Sequence, residues 1–431
     1  MDTQTSASHC AVIFVVPADR GHFDYTTLVA EELHRRDFTI EYWCPTPAKA
    51  YAPSFASFHG LHDDGDDRFV RFTRAYCRCM AFGDTDEESQ LHFEQEFGQY
   101  LAAEFEDPGR ELHELQGTRD ALVRLKMRVL ESDVALVIFD AAHVYSWIGQ
   151  HCKSCGVPSL ALYPTQLWLR RGESPLFWPG NLSEEPPYSA VRKNLGAVPH
   201  PKAHTLFAEL LGDVSIPEDC RIVGPVLPLD GHLGIRRQQD AFVSNGLKTW
   251  CDGADTPIVY VSFGSMIRTG SMVVGVASRL LEAIKDGPWR ILVAGEPDVF
   301  VVAGFSEHVR VEPWVPQAAV LAHPHVRAFI SHCGASSINE AILNSVPIVA
   351  LPFFDDQRFN APALVACGAA VAELHKSKFT AEDARDAVQR ALNNEAVARA
   401  SAVSQRLRCC IGLSTVVAEA EAAIESAKHV Q

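Results

Sequence analysis

FISHCGASSINEA, residues 329–341, begins as an apolar strand and ends as a helix. Small and polar residues fill the turn between them, among them His332, Gly334, Ser336 and Ser337. The N-terminus of a helix carries unsatisfied N–H groups and a partial positive charge, so this turn predicts a site for an anion. Ser337 and Glu340 also match S-x-x-E, the pattern of a capping box, and taken alone that structural role is the better prediction.

The length and composition of the chain predict a folded protein with two domains. The chain has 431 residues, of which 47% are hydrophobic and 21% charged. Single hydrophobic cores stop growing at roughly 250–300 residues, so two domains are expected. The formal net charge of -16 is not accompanied by a basic cluster, and we therefore expect no nucleic-acid partner.

Apolar runs alternate with helical patterns along most of the sequence. In the first half, strands are predicted at 11–17, 38–43, 135–139 and 159–163. In the second half, they are predicted at 257–263, 289–294, 309–315, 326–331, 346–351 and 369–374. This βαβ order predicts an α/β protein of two doubly wound, Rossmann-like domains. A ligand is expected in a cleft outside the carboxyl ends of the strands.

The order of elements is interrupted twice. Residues 45–115 give no long periodic element, and we expect them to form a binding surface or lid. Residues 226–240 contain Pro and Gly and are then rich in Arg and Gln, which indicates an interdomain linker. We predict an N-terminal domain over 1–232, a C-terminal domain over 233–412 and a closing helix within 413–431.

No targeting, membrane-spanning or metal-binding segment is predicted. The first apolar run lacks a preceding basic region, and no stretch approaches the roughly 20 apolar residues of a membrane span. A cytoplasmic protein without a membrane anchor is expected. The 12 cysteines are scattered, and the Cys152–Cys155 pair has no second pair to complete a zinc site, so reduced structural thiols are expected.

The stretch 314–357 reads WVPQAAVLAHPHVRAFISHCGASSINEAILNSVPIVALPFFDDQ. It resembles the donor box of the family 1 UDP-glycosyltransferases, which runs from Trp-x-Pro-Gln through His-x-Gly, Ser and Glu to Pro-x-x-x-Asp-Gln. VYVSFGS at 259–265 and IVGP at 222–225 extend the resemblance. It implies the GT-B fold, in which two Rossmann-like domains face a central cleft. It also implies that the closing helix crosses back to the first domain.

The resemblance assigns a donor-binding role to a set of residues in the second half. They are Ser265, Trp314, Val315, Gln317, His332, Gly334, Ser336, Ser337, Glu340, Asp356 and Gln357. Trp314 is expected to stack on uracil, and Gln317 and Glu340 to bind the ribose. His332, Ser337, Ser265 and the helix amides are expected to hold the pyrophosphate.

Asp356 and Gln357 are expected to contact the transferred sugar, with glucose favoured by the terminal Gln. Three positions depart from the common plant pattern. Ser336 stands where Asn is usual, Ser345 where Gly is usual, and Asp355 where Gly is frequent. An additional acid beside Asp356 bears on the choice of sugar, so glucose is the favoured donor and not the only one considered.

The resemblance also implies the catalytic pair. His22, in PADRGHFDYTTL, stands where the family has its base, and Asp140, at the end of ALVIFD, where the family has the base's carboxylate partner. A neutral imidazole accepts a proton well near neutral pH. The expected reaction is a single displacement with inversion, without a metal or resident cofactor. Many relatives have Pro three residues after the histidine, where this chain has Tyr25, and Asp24 is a hypothetical second acid.

The expected partners are a UDP-sugar and a hydrophobic acceptor such as a phenolic, polyketide, terpenoid or sterol. Phe55, Phe58, the aromatics of 69–93 and the segment 163–180 either line an apolar acceptor pocket or belong to the core. A catalytically silent glycosyltransferase-like partner protein remains an alternative. Lipid and sterol glucosyltransferases and sugar-nucleotide epimerases share the implied architecture, but the intact donor box and the lack of a predicted membrane-spanning tail weigh against an epimerase or membrane-anchored role. A dinucleotide oxidoreductase is disfavoured, because no G-x-G-x-x-G follows the first strand.

Overall fold

The structure of the protein is a computed structural model that describes most of the second predicted domain and part of the first. The described residues are 10–16, 20–61, 121, 123–140, 146–162, 226–227, 233–264, 271–295, 308–353, 357–409 and 412–428. The predictions made for Ser265 and Asp356, for the aromatics of 69–93 and for the segment 163–180 lie outside the described residues.

The first half of the chain forms a parallel sheet of five described strands. They are β1 (Ala11–Val15), β2 (Thr39–Cys44), β3 (Ser57–Gly60), β4 (Val134–Asp140) and β5 (Ser159–Leu162). Two α-helices beside them are α1 (Arg20–His34) and α2 (Ser146–Cys155), and a 3-10 helix covers Thr46–Ala50. Residues 123–129 are helical as well. The strand order is β3-β2-β1-β4-β5. The first three strands extend the sheet to one side of β1, and β4 and β5 extend it to the other side.

The central strand β1 explains why this segment reads as an unbroken apolar run. Val12 and Phe14 pack into one cluster of buried residues, whereas Ile13 and Val15 pack into another on the opposite face of the sheet. A strand covered on both faces needs apolar side chains at every position. Val15 pairs with Phe139, which brings the carboxyl ends of β1 and β4 side by side.

The second half of the chain forms a parallel sheet of six described strands. They are β6 (Ile258–Ser262), β7 (Arg290–Ala294), β8 (Val309–Glu312), β9 (Val326–Ser331), β10 (Ile348–Ala350) and β11 (Ala370–Glu373), in the order β11-β10-β9-β6-β7-β8. The described helices of this half are α3 (Leu233–Ser244), α4 (Leu247–Asp252), α5 (Ser271–Ile284), α6 (Gln317–Leu321), α7 (Ala335–Leu343), α8 (Gln357–Cys367), α9 (Ala381–Ala391) and α10 (Asn394–Arg408). The prediction of two α/β units with parallel sheets is confirmed.

One part of the predicted linker is a helix. The Arg/Gln-rich part of 226–240 falls in α3, which packs against α6 of the second unit. Phe242 is buried in a core cluster of that unit, and the Gln238 side-chain oxygen accepts a hydrogen bond from the Ala318 backbone N–H at 3.0 Å. The linker prediction for this part is wrong, because it belongs to a helix that the buried Phe242 and the Gln238 hydrogen bond hold against the second unit.

The chain closes with a helix, α11 (Leu413–Lys428), that packs on the first sheet. Its buried apolar side chains share a cluster with Val12 and Phe14 of β1, and they are Leu413, Val416, Val417, Ala420 and Ile424. The burial of each larger apolar side chain contributes about 1.5–3 kcal/mol. Helix α11 therefore ties the end of the chain to the first unit. Within the described part of the chain, no helix is both long and apolar enough to cross a bilayer.

Candidate functional site

The turn between β9 and α7 has a fixed backbone geometry. Cys333 lies in the left-handed region at φ 69°, and Gly334 is extended and forms the N-cap of α7. The Cys333 N–H donates to the Ser331 hydroxyl at 3.1 Å, and the Asn360 side-chain amide donates to the Cys333 carbonyl at 2.8 Å. These contacts from β9 and α8 hold the turn in one conformation, with the amides of 335–337 at the helix N-terminus.

The capping-box interpretation of Ser337 and Glu340 is wrong. A capping box needs the serine at the N-cap, and the N-cap here is Gly334, which makes no side-chain capping bond. Ser337 is the third helical residue, so Glu340 lies a full turn too far along α7 to reach the N-cap amide. Both side chains are engaged elsewhere, as the contacts of Gln317 show.

Gln317, at the start of α6, joins the two helices. Its Nε2 donates to Oε2 of Glu340 at 2.6 Å and to the hydroxyl of Ser337 at 3.0 Å. Ser337 is buried and Glu340 is half-buried, so the carboxylate stays within reach of a ligand. The structure thus brings together three residues of the predicted donor set from two separate helices.

Tyr260 fixes the orientation of the Gln317 side chain. The Tyr260 hydroxyl donates to Oε1 of Gln317 at 3.0 Å, which directs Nε2 towards Glu340. Tyr260 is buried in the middle of β6, and burial raises the pKa of its phenol well above the ordinary value. The sequence prediction missed this residue, although a tyrosine within an otherwise apolar strand signals a hydroxyl that needs a partner.

His332, directly after β9, sits between two glycines. Its side chain is buried, and a Cβ atom at Gly264 would lie 2.6 Å from Nε2 of the ring. A Cβ atom at Gly334 would lie 2.4 Å from the same nitrogen. Only glycine fits at either position without displacing the ring, and Gly264 also has φ 79°, which favours glycine.

Burial keeps the His332 imidazole neutral. Desolvation lowers its pKa from 6.5 to about 4, which outweighs the opposing effect of a backbone hydrogen bond with Ser262. Among the described residues no group forms a hydrogen bond with its buried Nδ1. A neutral ring with an unsatisfied nitrogen at a helix N-terminus suits a ligand that can exchange hydrogen bonds with it.

The remaining predicted donor residues differ in exposure. Trp314 is 39% exposed, one of the few large apolar side chains that stay at the surface of the described part. Val315 is buried in the core of the second unit, so its backbone and not its side chain is available to a ligand. Ser336 is exposed in the first turn of α7.

Gln357, the first residue of α8, is buried. Its Oε1 accepts a hydrogen bond from the Phe353 backbone N–H at 3.0 Å, across the loop that precedes the helix. The Phe353 carbonyl accepts a hydrogen bond from the buried Lys376 ammonium group at 3.0 Å. Gln357 therefore holds one end of this loop in place, in addition to any contact that it makes with a ligand.

In the first unit, Asp140 is buried at the carboxyl end of β4. The Tyr25 hydroxyl of α1 donates to its Oδ2 at 3.0 Å. His22 is the third residue of α1, three positions before Tyr25, so the two positions lie on the same side of the helix. The backbone thus places the predicted base on the helix that already contacts the predicted carboxylate partner.

The residues of the second unit form a set suited to a nucleoside diphosphate. The carboxylate of Glu340 can accept hydrogen bonds from vicinal hydroxyls, and the exposed ring of Trp314 offers a face for a base. The amides of 335–337 precede the first intrahelical hydrogen bond of α7, from Ile338 N–H to the Gly334 carbonyl at 3.1 Å. They are therefore directed at whatever anion lies before the helix.

Comparison with known families agrees with this arrangement. Residues 225–405 match the family model described as "UDP-glucoronosyl and UDP-glucosyl transferase". The matched range holds β6 to β11 and the cluster of Gln317, Ser337 and Glu340.

Curated relatives match part of the chain. UDP-glycosyltransferase UGT5 of Dactylopius coccus is 32% identical over 40% of this chain and 33% of its own length. Anthocyanidin 3-O-glucosyltransferase UFGT of Vitis vinifera is 40% identical over 24% of this chain and 24% of its own length. The chain therefore matches no more than about a third of the length of these two relatives.

Solved structures match nearly the whole chain at low sequence identity. Arabidopsis thaliana UGT89C1 complexed with UDP-L-rhamnose superposes with a TM-score of 0.64 at 16% identity, over 97% of this chain and 99% of that one. At this identity the likeness establishes the fold. It is that of the GT-B glycosyltransferases, as the sequence resemblance implied.

Proposed function

We propose that this chain, whose residues 225–405 match the UDP-glycosyltransferase family model, moves a sugar from a UDP-sugar to a hydroxyl group of a hydrophobic small molecule. The observation that carries the proposal is the cluster in which Gln317 bonds both Ser337 and Glu340, beside the buried His332. It combines an acceptor for ribose hydroxyls with donors for phosphate oxygens. A purely structural cluster would have no use for a half-buried carboxylate, or for a buried imidazole nitrogen that no group of the described residues bonds.

In the proposed donor complex, uracil stacks on Trp314 and the ribose hydroxyls donate to Glu340. Gln317 is held by Tyr260 and presents its amide to the same region. The diphosphate lies before α7, where it meets Ser337, His332 and the first helix amides. Val315, Gly334 and Ser336 would contribute backbone or hydroxyl contacts, and Ser265 would approach from the other βα turn.

The transfer is proposed to be a single displacement. His22 removes the proton from the acceptor hydroxyl as the oxygen forms a bond with C1 of the α-linked sugar. The bond from C1 to the phosphate oxygen breaks, and its electron pair leaves with UDP. Asp140 orients the His22 ring and stabilises the imidazolium that forms, as the carboxylate does in hydrolase triads. The product is a β-glycoside.

The departing UDP gains negative charge as the bond breaks. The N-terminus of α7 supplies a positive end of a helix dipole and directed N–H groups at that place. Because burial holds the pKa of His332 near 4, its ring interacts with the diphosphate as a neutral hydrogen-bonding partner. We propose that these groups suffice without a metal ion or resident cofactor.

Glucose is the proposed sugar, and Asp356 and Gln357 are proposed to contact its hydroxyls. The proposed acceptor is a hydrophobic phenolic, polyketide, terpenoid or sterol. Relatives whose names give an anthocyanidin or an ecdysteroid as the acceptor support a small molecule of this kind.

Mass spectrometry tests the proposal. The purified chain is incubated with UDP-glucose and EDTA against a mixed panel of phenols and sterols, beside His22→Ala and an exposed control variant, His375→Ala. We expect a gain of one hexosyl group on at least one acceptor with the wild type and the control, and its loss with His22→Ala. UDP binding without transfer to any acceptor would instead favour a catalytically silent partner protein.

A further inference from the structure

Tyr25 forms a hydrogen bond with Asp140, the carboxylate that is proposed to orient the base His22. Its Oη donates to Oδ2 of Asp140 at 3.0 Å, across 115 positions of the chain. This contact exists because β4 lies next to β1, so the helix that follows β1 passes over the end of β4. Tyr25 also stands where many members of the family that the sequence resembles have a proline.

Asp140 needs hydrogen-bond donors in order to stay ionised. It is buried at the end of β4, and an ionised carboxylate without partners is very costly in such a place. A phenol is a neutral donor, so it stabilises the carboxylate without cancelling its charge. An arginine at the same place would cancel much of the charge that an imidazolium needs.

The Tyr25 phenol remains a donor over the working range of pH. Its burial, followed by the charge of Asp140, raises its pKa well above the ordinary value of 10.0. It therefore does not ionise under conditions in which a histidine base is active. A neutral tyrosine has one hydroxyl hydrogen to donate, and here Asp140 accepts it.

The surrounding packing holds this part of α1 rigidly. Phe23 stacks on Tyr42 at 4.9 Å between ring centroids, and the Thr26 hydroxyl donates to the Phe23 carbonyl at 2.7 Å. The Tyr42 and Thr26 hydroxyls are 3.4 Å apart. Residues on both sides of Tyr25 are thus fixed against β2, and this fixes the backbone from which the Tyr25 side chain reaches Asp140.

We infer that Tyr25 is a positioning residue for the transfer, because its hydroxyl holds Oδ2 of Asp140 and so presents Oδ1 to His22. The inference rests on the proposed function, since it gives Tyr25 a role only if His22 is the base. Tyr25 touches neither the sugar nor the acceptor in this account. It acts through Asp140 on the orientation and charge of the base.

A purely structural tie between α1 and β4 is the competing explanation, and the acidity of the acceptor separates the two. An acceptor that is already ionised at the assay pH needs no base, whereas a weakly acidic hydroxyl does. A positioning role therefore predicts a loss of kcat that grows with the pKa of the acceptor. A structural role predicts the same loss for every acceptor.

The experiment compares Tyr25→Phe with Tyr42→Phe as a matched control. Both variants remove a phenol hydroxyl and keep the ring, but only Tyr25 bonds Asp140. Transfer from UDP-glucose is measured with a series of phenols from strongly to weakly acidic, with active protein counted by calorimetric titration with UDP. His22→Ala and Asp140→Asn are measured with the same series.

We expect Tyr25→Phe to lose roughly tenfold in kcat with the weakly acidic phenols, the loss expected for one hydrogen bond to a charged group. With the ionised phenols it should match the wild type, and Tyr42→Phe should match it throughout. If Tyr25→Phe matches the wild type with every acceptor, or loses the same factor in kcat with every acceptor, the inference about Tyr25 is overturned. The proposed function would not be affected by either result. A wild type without transfer, or an unimpaired His22→Ala, overturns the proposed function, and the role of Tyr25 falls with it.

Discussion

Gln317 donates a hydrogen bond from Nε2 to Oε2 of Glu340 at 2.6 Å, so one side-chain amide stabilises and orients a half-buried carboxylate. The two residues lie on α6 and α7, which pack against each other. The carboxylate is thereby held in one place before a ligand arrives. In the proposed complex the ribose hydroxyls become additional donors to Glu340, and binding needs little rearrangement of the protein.

Glu340→Gln should bind UDP more weakly by about ten- to a hundredfold. The variant keeps the size of the side chain but loses the charge, and a hydrogen bond to a charged group is worth about 1.5–3 kcal/mol. Isothermal calorimetry measures the Kd. Glu395→Gln, which removes an exposed charge from α10 of the same unit, is the control and should leave the Kd unchanged. An unaltered Kd for Glu340→Gln would remove Glu340 from the donor site.

Tyr260→Phe should weaken UDP binding severalfold and lower the free energy of unfolding by about 1 kcal/mol. The variant removes the donor that fixes Oε1 of Gln317, and an unpaired buried acceptor costs about 1–3 kcal/mol, part of which a rotation of the amide recovers. That rotation turns the amide away from Glu340. Urea unfolding and UDP calorimetry check both effects. A loss of stability with full UDP affinity would show that Tyr260 serves only the core.

Gly264→Ala should abolish most UDP binding, whereas Gly246→Ala should not. Both glycines have positive φ, 79° and 73°, so alanine costs about 1–2 kcal/mol of strain at either position. Only at Gly264 does the added Cβ meet the His332 ring, and nothing lies within 4 Å of it at Gly246. The UDP Kd of each variant, with its melting temperature, tests this. Equal Kd values in the two variants would contradict the placement of His332 at the ligand.

The unfolding free energy should depend on pH through His332. Its pKa in the folded chain is about 4, below the value of 6.5 in an unfolded chain, so the unfolded state takes up a proton first as the pH falls. The contribution of the neutral His332 ring to the free energy of unfolding is fully present above about pH 6.5 and is lost as the pH falls towards 4. Between about pH 7 and 5.5 the wild type should lose about 1 kcal/mol more than His332→Gln. Parallel urea titrations that give equal losses would contradict the burial of the neutral ring.

Most of the fold could be predicted because its strands are buried on both faces. β9 was predicted at 326–331 and is observed there, since an unbroken apolar run leaves little choice of boundary. β8 ends earlier than predicted, at Glu312. Pro313 and Pro316 follow, and proline cannot donate to a sheet ladder, so the strand stops before them.

The contacts of the site were less accessible to prediction. The Ser337–Glu340 spacing suggested a cap, because a sequence pattern does not show that the N-cap is Gly334, three residues before Ser337. The bond from Tyr260 to Gln317 depends on β6 lying beside β9 and under α6. The bond from Tyr25 to Asp140 depends on β4 inserting next to β1. Both follow from the strand order, which local patterns do not encode.

The most direct test of the central claim is the anomeric configuration of the sugar in the product. The chain is incubated with UDP-glucose and an acceptor identified by mass spectrometry, and the anomeric proton of the glycoside is examined by nuclear magnetic resonance. The account predicts a β-glycoside, formed by the wild type and not by His22→Ala. An α-glycoside, or full product formation by His22→Ala, would contradict a single displacement driven by this base.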